Sequence, residues 1–310
     1  MARKFPKLAV LAKIETTYGV DAVPTGAANA IQAIDVTIDP FEGDEEEREL
    51  MRPYFGAQGL FFTGNYAKVT FSVELTGSGT AGTAPAFGPM IRACGMAEIV
   101  TAATKVDYLP VSDNPESVSI YWNMDGVRHV LLGARGNLSI DPFTPKRIPR
   151  LKFEVWGLLG TVTDVALPTV DLTKFIDPIP VSKDNTPTFS LHGVASIGES
   201  LTLNLGNQVE PRFLIGQDSI QIVNRKSSGQ IVLEAVAVAT KNWIATAKAH
   251  TRGELAVVHG ITAGNIVEMG CPAIQVGRPK IGQTQNIINN TLPLIPQPLA
   301  GDDELKFTFR

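Results

Sequence analysis

The sequence predicts a mainly β protein built as two tandem β-sandwich or barrel domains, each with one short α-helix and a long inter-strand loop. Three observations carry this expectation. Runs such as Val36-Thr37-Ile38 and Lys68-Val69-Thr70-Phe71-Ser72-Val73-Glu74-Leu75 alternate apolar and polar residues, the period of a strand with one face on a core. Asp125-Gly126 stands between two further alternating runs, the signature of a tight hairpin turn. Features of the first half return in the same order in the second.

Taken in order, residues 1–30 carry the turn residues Gly19, Pro24 and Gly26 and read as an extended arm, not a helix. A strand over residues 35–39 follows. Glu42, Asp44, Glu45, Glu46 and Glu47 then crowd together, and no core accepts them unpaired. Nearly thirty residues separate this strand from the next, over 68–75, well beyond the usual hairpin loop. The intervening loop is expected to be a solvated flap or a contact arm. The arm is favoured because Met51, Pro53, Tyr54, Phe55, Leu60, Phe61 and Phe62 need an apolar surface.

Phe87, Met90, Ile91 and Cys94 recur at helical spacing, and Pro85 and Pro89 keep that helix short. Val118, Ile120 and Trp122 alternate into the Asp125-Gly126 turn, and Val127, His129 and Leu131 alternate out of it. A second strand pair is expected over 137–140 and 150–158. Pro168, Pro178, Pro180 and Pro187 mark residues 166–188 as a linker, which sets the domains at 1–165 and 189–310.

In the second half Leu201-Thr202-Leu203 answers Val36-Thr37-Ile38, and Pro211-Arg212-Phe213-Leu214-Ile215-Gly216 answers Arg52-Pro53-Tyr54-Phe55-Gly56. Eighteen residues lead from Gly56 to Glu74 and eighteen from Gly216 to Glu234. The stretch 243–250 answers the first helix, and Gly264-Asn265-Ile266 echoes Gly136-Asn137-Leu138. Residues 302–310 close the chain as an alternating strand.

Composition limits the function classes. At 310 residues, 44% hydrophobic and 19% charged, the chain has the make-up of a globular protein of about two domains. No run approaches the ~20 apolar residues of a membrane-spanning helix. The apolar segment 8–12 is too short for a secretory leader, so the chain is expected to be made and kept in a cytoplasm. Cys94 and Cys271 give neither a disulfide framework nor metal spacing. A net charge of −4 argues against a surface built to grip phosphates.

Catalytic chemistry finds little support. Gly77-Ser78-Gly79-Thr80-Ala81-Gly82 matches G-x-G-x-x-G, but the strand before it alternates and the helix after it is broken by prolines. A flexible loop is the better account. His129, His192, His250 and His259 never fall at ligand spacing, and no nucleophile elbow, Walker loop or H-E-x-x-H is present. Trp122, Trp156 and Trp243 are expected in the core rather than as a sugar platform. No catalytic, cofactor or metal residue is assigned, and no enzymatic activity is expected.

Lys13-Ile14-Glu15-Thr16-Thr17-Tyr18-Gly19-Val20-Asp21, Pro24-Thr25-Gly26, Glu42-Gly43-Asp44 and Glu49-Leu50-Met51-Arg52-Pro53-Tyr54 resemble the tail tube (major tail) protein of long-tailed, non-contractile bacteriophages. Phe189-Ser190-Leu191, Leu203-Asn204-Leu205-Gly206-Asn207 and Gly301-Asp302-Asp303-Glu304-Leu305 extend the resemblance through the second half.

The resemblance implies packed antiparallel sheets, protomers in a ring around a lumen, and rings stacked into the conduit for DNA ejection. A doubled domain implies a trimer with pseudo-sixfold symmetry, with a hexamer as the alternative. It also implies an inter-ring contact loop carrying Glu42, Asp44, Glu45, Glu46, Arg48, Arg52, Tyr54 and Phe55, and a second-domain loop carrying Glu210, Arg212, Phe213 and Arg225. Implied partners are other copies of the chain, a tape-measure protein, a tail terminator and distal tail proteins. Viral DNA would pass through without specific binding, past acidic or neutral inner strand faces. The implied location is the virion tail, assembled in the host cytoplasm with no cofactor and no membrane anchor. A two-domain β-sandwich module binding carbohydrate or protein, or another capsid or baseplate protein, stays open as an alternative.

Overall fold

Apolar stretches of this chain reach burial as strands. A computed structural model describes residues 3–310 and is mainly β, with antiparallel ladders throughout. The first half holds β1 (Leu8–Ile14), α1 (Gly26–Asn29), β2 (Ala30–Ile31), β3 (Ile34–Glu47), β4 (Leu60–Glu74), α2 (Gly88–Ala93), β5 (Met96–Thr101), β6 (Lys105–Pro110), β7 (Val118–Met124), β8 (Val127–Phe143) and β9 (Arg150–Asp164). After it come β10 (Thr188–Leu191), β11 (Val194–Ala195), β12 (Gly198–Asn204), β13 (Asn207–Leu214), β14 (Gln217–Arg225), β15 (Ser228–Glu234), α3 (Trp243–Lys248), β16 (Arg252–His259), β17 (Val267–Val276), β18 (Lys280–Thr284), β19 (Ile287–Pro296) and β20 (Lys306–Phe309).

The first half pairs as β2-β1-β7-β8-β9-β4-β3. Pairing in the second half runs β11-β10-β16-β17-β19-β15-β12, with β18 continuing β17 along β19. The short helices α2 and α3 occupy the same place in the two series, after β4 and after β15. The halves meet where β12 pairs with the end of β8, Leu203 opposite Ile140 and Asn204 opposite Ser139. Strand β20 adds a second tie, pairing with β17 on one side and β6 on the other. One hydrophobic cluster runs through both halves, with Phe71, Trp122 and Phe153 beside Leu203, Leu233 and Phe307.

Three expectations are corrected. Residues 8–14 are a strand and not an extended arm, paired with β7 along their full length. Ala9, Val10, Leu11 and Ala12 are buried on both faces, so this central strand shows no alternation to read. The long charged loop is mostly ladder: β3 continues to Glu47 and β4 begins at Leu60, with Asp44 opposite Thr63 and Glu47 opposite Leu60. Backbone hydrogen bonds hold these acidic residues in a strand while every side chain from Asp39 to Glu47 stays in water, so no burial cost arises.

The glycine-rich stretch is a packed contact rather than a free loop. Gly79 N–H donates to the Gly264 carbonyl at 3.0 Å and Gly77 N–H to Asn265 Oδ1 at 3.0 Å. A Cβ on Gly77 would lie 1.9 Å from the Gly264 oxygen. The glycines thus allow two backbones from opposite halves to touch. Gly77→Ala is expected to lower unfolding stability by roughly 2–3 kcal/mol, at the upper end of overpacking costs, read from a denaturant midpoint at unchanged slope.

Candidate assembly surfaces

The outer part of the β3–β4 hairpin projects as an arm. Glu42, Asp44, Glu45 and Glu46 lie exposed on β3, and Arg48, Arg52, Tyr54 and Phe55 lie in the connection 48–59. Gln58 closes that connection, its amide accepting from Leu50 N–H at 2.9 Å and donating to the Leu50 carbonyl at 2.8 Å. Phe41 meets Phe62 edge-on at 5.5 Å, and the Arg48 guanidinium lies 6.0 Å from the Phe61 ring. Nothing among the described residues covers the tip. Met51 and Phe55 are as exposed as in an open peptide, at 103% and 107%, an apolar cost that isolated surface residues do not normally stack up together.

The second hairpin, β13–β14, points the same way and is shorter. Glu210 and Arg212 are exposed on β13, and Phe213 lies against Gly64 of β4, where an added Cβ would meet the ring at 3.0 Å. Ile215 forms its bare tip, wholly exposed. Arg225 departs from this row and turns into the body: it pairs with Glu304, reaches Asp302 at 2.6 Å and donates to the Val111 carbonyl at 3.0 Å. Burial works against the charge on Asp302, but the Ser112 hydroxyl and Arg225 outweigh it and hold that carboxyl below its usual range.

The N-terminal motif fixes this hairpin. Glu15 is 8% exposed and accepts from Ser117 Oγ (2.7 Å), Ser119 Oγ (2.8 Å), Gly133 N–H (2.8 Å) and Gly19 N–H (2.9 Å). Tyr18 Oη accepts from Ile220 N–H of β14 at 2.6 Å. Arg135 stacks on the Tyr18 ring at 4.7 Å and donates to the Ile220 and Pro115 carbonyls at 3.0 and 2.7 Å. Burial raises the Tyr18 pKa and lowers that of Arg135, which marks a shielded cluster. No local pattern marks Glu15 or Tyr18 for this role, because their partners Ser117, Gly133 and Ile220 lie 102, 118 and 202 residues away.

A polar sheet face runs across both halves, opposite the core. Following the ladders β3-β4-β9-β8-β12-β15-β19-β18, it carries Thr37, Thr70, Asn137, Ser139, Thr202 and Gln230 among its neutral residues. Its cations are paired or outnumbered: Lys68 binds Glu154 and lies 5.0 Å from the Trp156 ring, and Arg150 reaches Asp35 at 2.8 Å. Glu74, Asp141 and Glu234 add negative charge to the same side.

At the end of β4 away from the arm, Phe143, Val181, Phe189 and Ile197 line a cavity of about 560 Å³. Lys183 borders it, and Lys146 and Arg147 line the adjoining depression. The fifteen residues of β4 put roughly 50 Å between the outer end of the arm and the cavity at ~3.3 Å per residue. Neither this cavity nor the edge strand β18 was found from sequence, since the cavity is assembled from segments about fifty residues apart.

A family model described as phage tail tube protein matches residues 7–300. No curated protein matches the chain.

Proposed function

Because the chain belongs to the phage tail tube protein family, and is thereby a structural component of the virion tail, we propose that it polymerises as stacked rings into the tube through which DNA leaves a long-tailed, non-contractile phage. The observation that carries this reading is the doubled ladder. Units β3-β4-β9-β8 and β12-β15-β19-β18 repeat one pairing order and join side by side through β8 and β12. This supports two tandem domains joined by a linker near residues 166–188, and a ring of three chains with pseudo-sixfold symmetry.

Stacking follows from polarity. The acidic arm with its bare Met51, Tyr54 and Phe55 stands at one end, and the apolar cavity with Lys183, Lys146 and Arg147 around it stands at the other. A knob and a socket on opposite ends make a head-to-tail contact that does not close along the axis, which generates a filament. Opposite charge guides the approach, and the apolar tip supplies the affinity. The shorter Glu210–Phe213 hairpin supports the same seam from the second half.

The polar, net acidic sheet face is assigned to the lumen, where duplex DNA slides without being held. Tape-measure, terminator and distal tail proteins complete the tail, which assembles in the host cytoplasm. Concentrated purified protein should form tubes with a central channel in negative-stain micrographs, and those tubes should not retard duplex DNA at physiological salt. Replacing Glu74, Asp141 and Glu234 by lysine should confer DNA binding that weakens steeply with salt. Isolated monomers at every concentration would overturn the reading.

A further inference from the structure

The two short helices hold one place in the two series yet differ in what they bury. In α2, Gly88, Met90, Ile91 and Ala93 are buried, whereas α3 buries Trp243 alone and leaves Ile244 59% exposed. Val236 and Val238, on the approach to α3, are exposed as well. Apolar side chains gathered bare on one helix and its approach mark a contact surface.

The cover over α2 shows what α3 lacks. Beneath, α2 rests on β1 and β7 of its own half. Above, it meets the ladder β16-β17-β20-β6, which belongs to the second half up to β20. Phe87, at the N-cap of α2, meets Phe309 of β20 edge-on at 5.9 Å. Tyr108 of β6 closes on Gly88, where an added Cβ would lie 2.5 Å from its hydroxyl.

The first half repeats that ladder, and there it ends open. The two ladders correspond through their turns, where Met124 faces Val127 and His259 faces Val267. Trp122, His129 and Val162 then form one row across β7, β8 and β9, with Val257, Met269 and Phe307 as its counterpart in β16, β17 and β20. The second row is buried throughout and continues to the buried Tyr108. The first stops at Val162, 61% exposed, because β9 beyond Leu158 pairs with β8 alone among the described residues. Two residues on, Asp164 faces Val127 as Phe309 faces Val267.

Resting on the tube reading above, we propose that α3 of one chain docks on the end of β9, residues 159–164, of the next chain, as α2 docks on β20 within a chain. Two bare apolar patches then cover each other, Val238 and Ile244 against Leu159 and Val162. The charges agree with this partner. Where the contact inside a chain sets Phe87 on Phe309, the contact between chains brings Lys241, just before the α3 N-cap, to Asp164. The Lys241 ammonium already lies beside the helix, 5.0–5.5 Å being the usual reach of such a contact and 5.2 Å its distance from the Trp243 ring. An ion pair at the rim of an apolar contact selects the partner more than it tightens the grip.

The test uses the full-length chain carrying Ile244→Cys, labelled with a bulky maleimide before and after assembly. Cys94 and Cys271 are buried and stay out of the reaction. Labelling should slow at least tenfold in rings, while chains kept monomeric by dilution react freely. Asp164→Lys should raise the concentration needed for ring formation about tenfold, and adding Lys241→Asp should restore it. Asp164 is exposed in the single chain, so the thermal midpoint of the monomer should hardly move. Rings in which position 244 labels as fast as in the monomer, or a charge swap that restores nothing, would overturn this contact and leave the tube reading standing. A chain that stays monomeric throughout would overturn both.

Discussion

Deleting residues 43–63 is expected to leave a folded chain that forms rings and does not elongate. The cut follows the ladder: Glu42 pairs with Tyr66, so the deletion joins them through Gly64-Asn65, a two-residue Gly-Asn turn suited to a hairpin. Gly64 already has a positive φ of 59°. A narrower cut over 43–55, drawn from the charged stretch alone, would strand residues 60–63 without the partners they have in β3. None of the core cluster lies in the removed segment, so the thermal midpoint should move by no more than a few degrees.

Elongation should suffer far more. Burying one such side chain contributes about 1.5–3 kcal/mol, so Phe55→Ala alone should raise the critical concentration for tubes at least tenfold. Full removal should abolish tubes at any accessible concentration. Sedimentation and micrographs of the same samples separate rings from tubes, and normal tubes from the deleted chain would remove the arm from its role.

Glu15→Ala should be the most damaging single substitution in the folded chain. Four donors converge on that carboxylate, two hydroxyls and the backbone N–H groups of Gly19 and Gly133. Leaving buried donors unpaired costs about 1–3 kcal/mol each where water cannot enter, and removing one partner of a buried charged set costs about 3–5 kcal/mol in total. A loss of that size, measured in denaturant, is the expected outcome. Because Tyr18 holds Ile220, the β13–β14 hairpin should loosen first, seen as faster amide exchange over 217–225 before global unfolding. A variant as stable as the parent would show that water replaces the carboxylate at this site.

Local physics governed what could be read in advance. Asp125-Gly126 was legible because the turn needs positive φ at both residues, and they have 33° and 96°. Val36-Thr37-Ile38 and Leu201-Thr202-Leu203 were legible as counterparts, and Thr37 and Thr202 do sit opposite Thr70 and Gln230, each four residues before the glutamate of a Val-Glu or Leu-Glu pair. The echo of Gly136-Asn137-Leu138 in Gly264-Asn265-Ile266 was chance resemblance in space, since the first lies within β8 and the second precedes β17.

What stayed hidden depends on distant partners. β1 has no alternation because both its faces are covered. The acidic half of β3 reads as a loop because a strand in water on both sides leaves no hydrophobic period. Arg225 looked like an exposed loop cation, and its neutralising partners, Asp302 and Glu304, lie nearly eighty residues away. The glycines at 77 and 79 serve a contact with Gly264, which no local pattern announces.

The seam between β8 and β12 has a kinetic consequence. In the proposed ring every second lateral contact is made while the chain folds, at the millimolar effective concentration of tethered segments, and only the remaining half must be found by diffusion. Two bimolecular encounters then gather a ring that would take five from separate units. Fewer bimolecular steps mean fewer partial rings with open strand edges, the species most prone to pair wrongly.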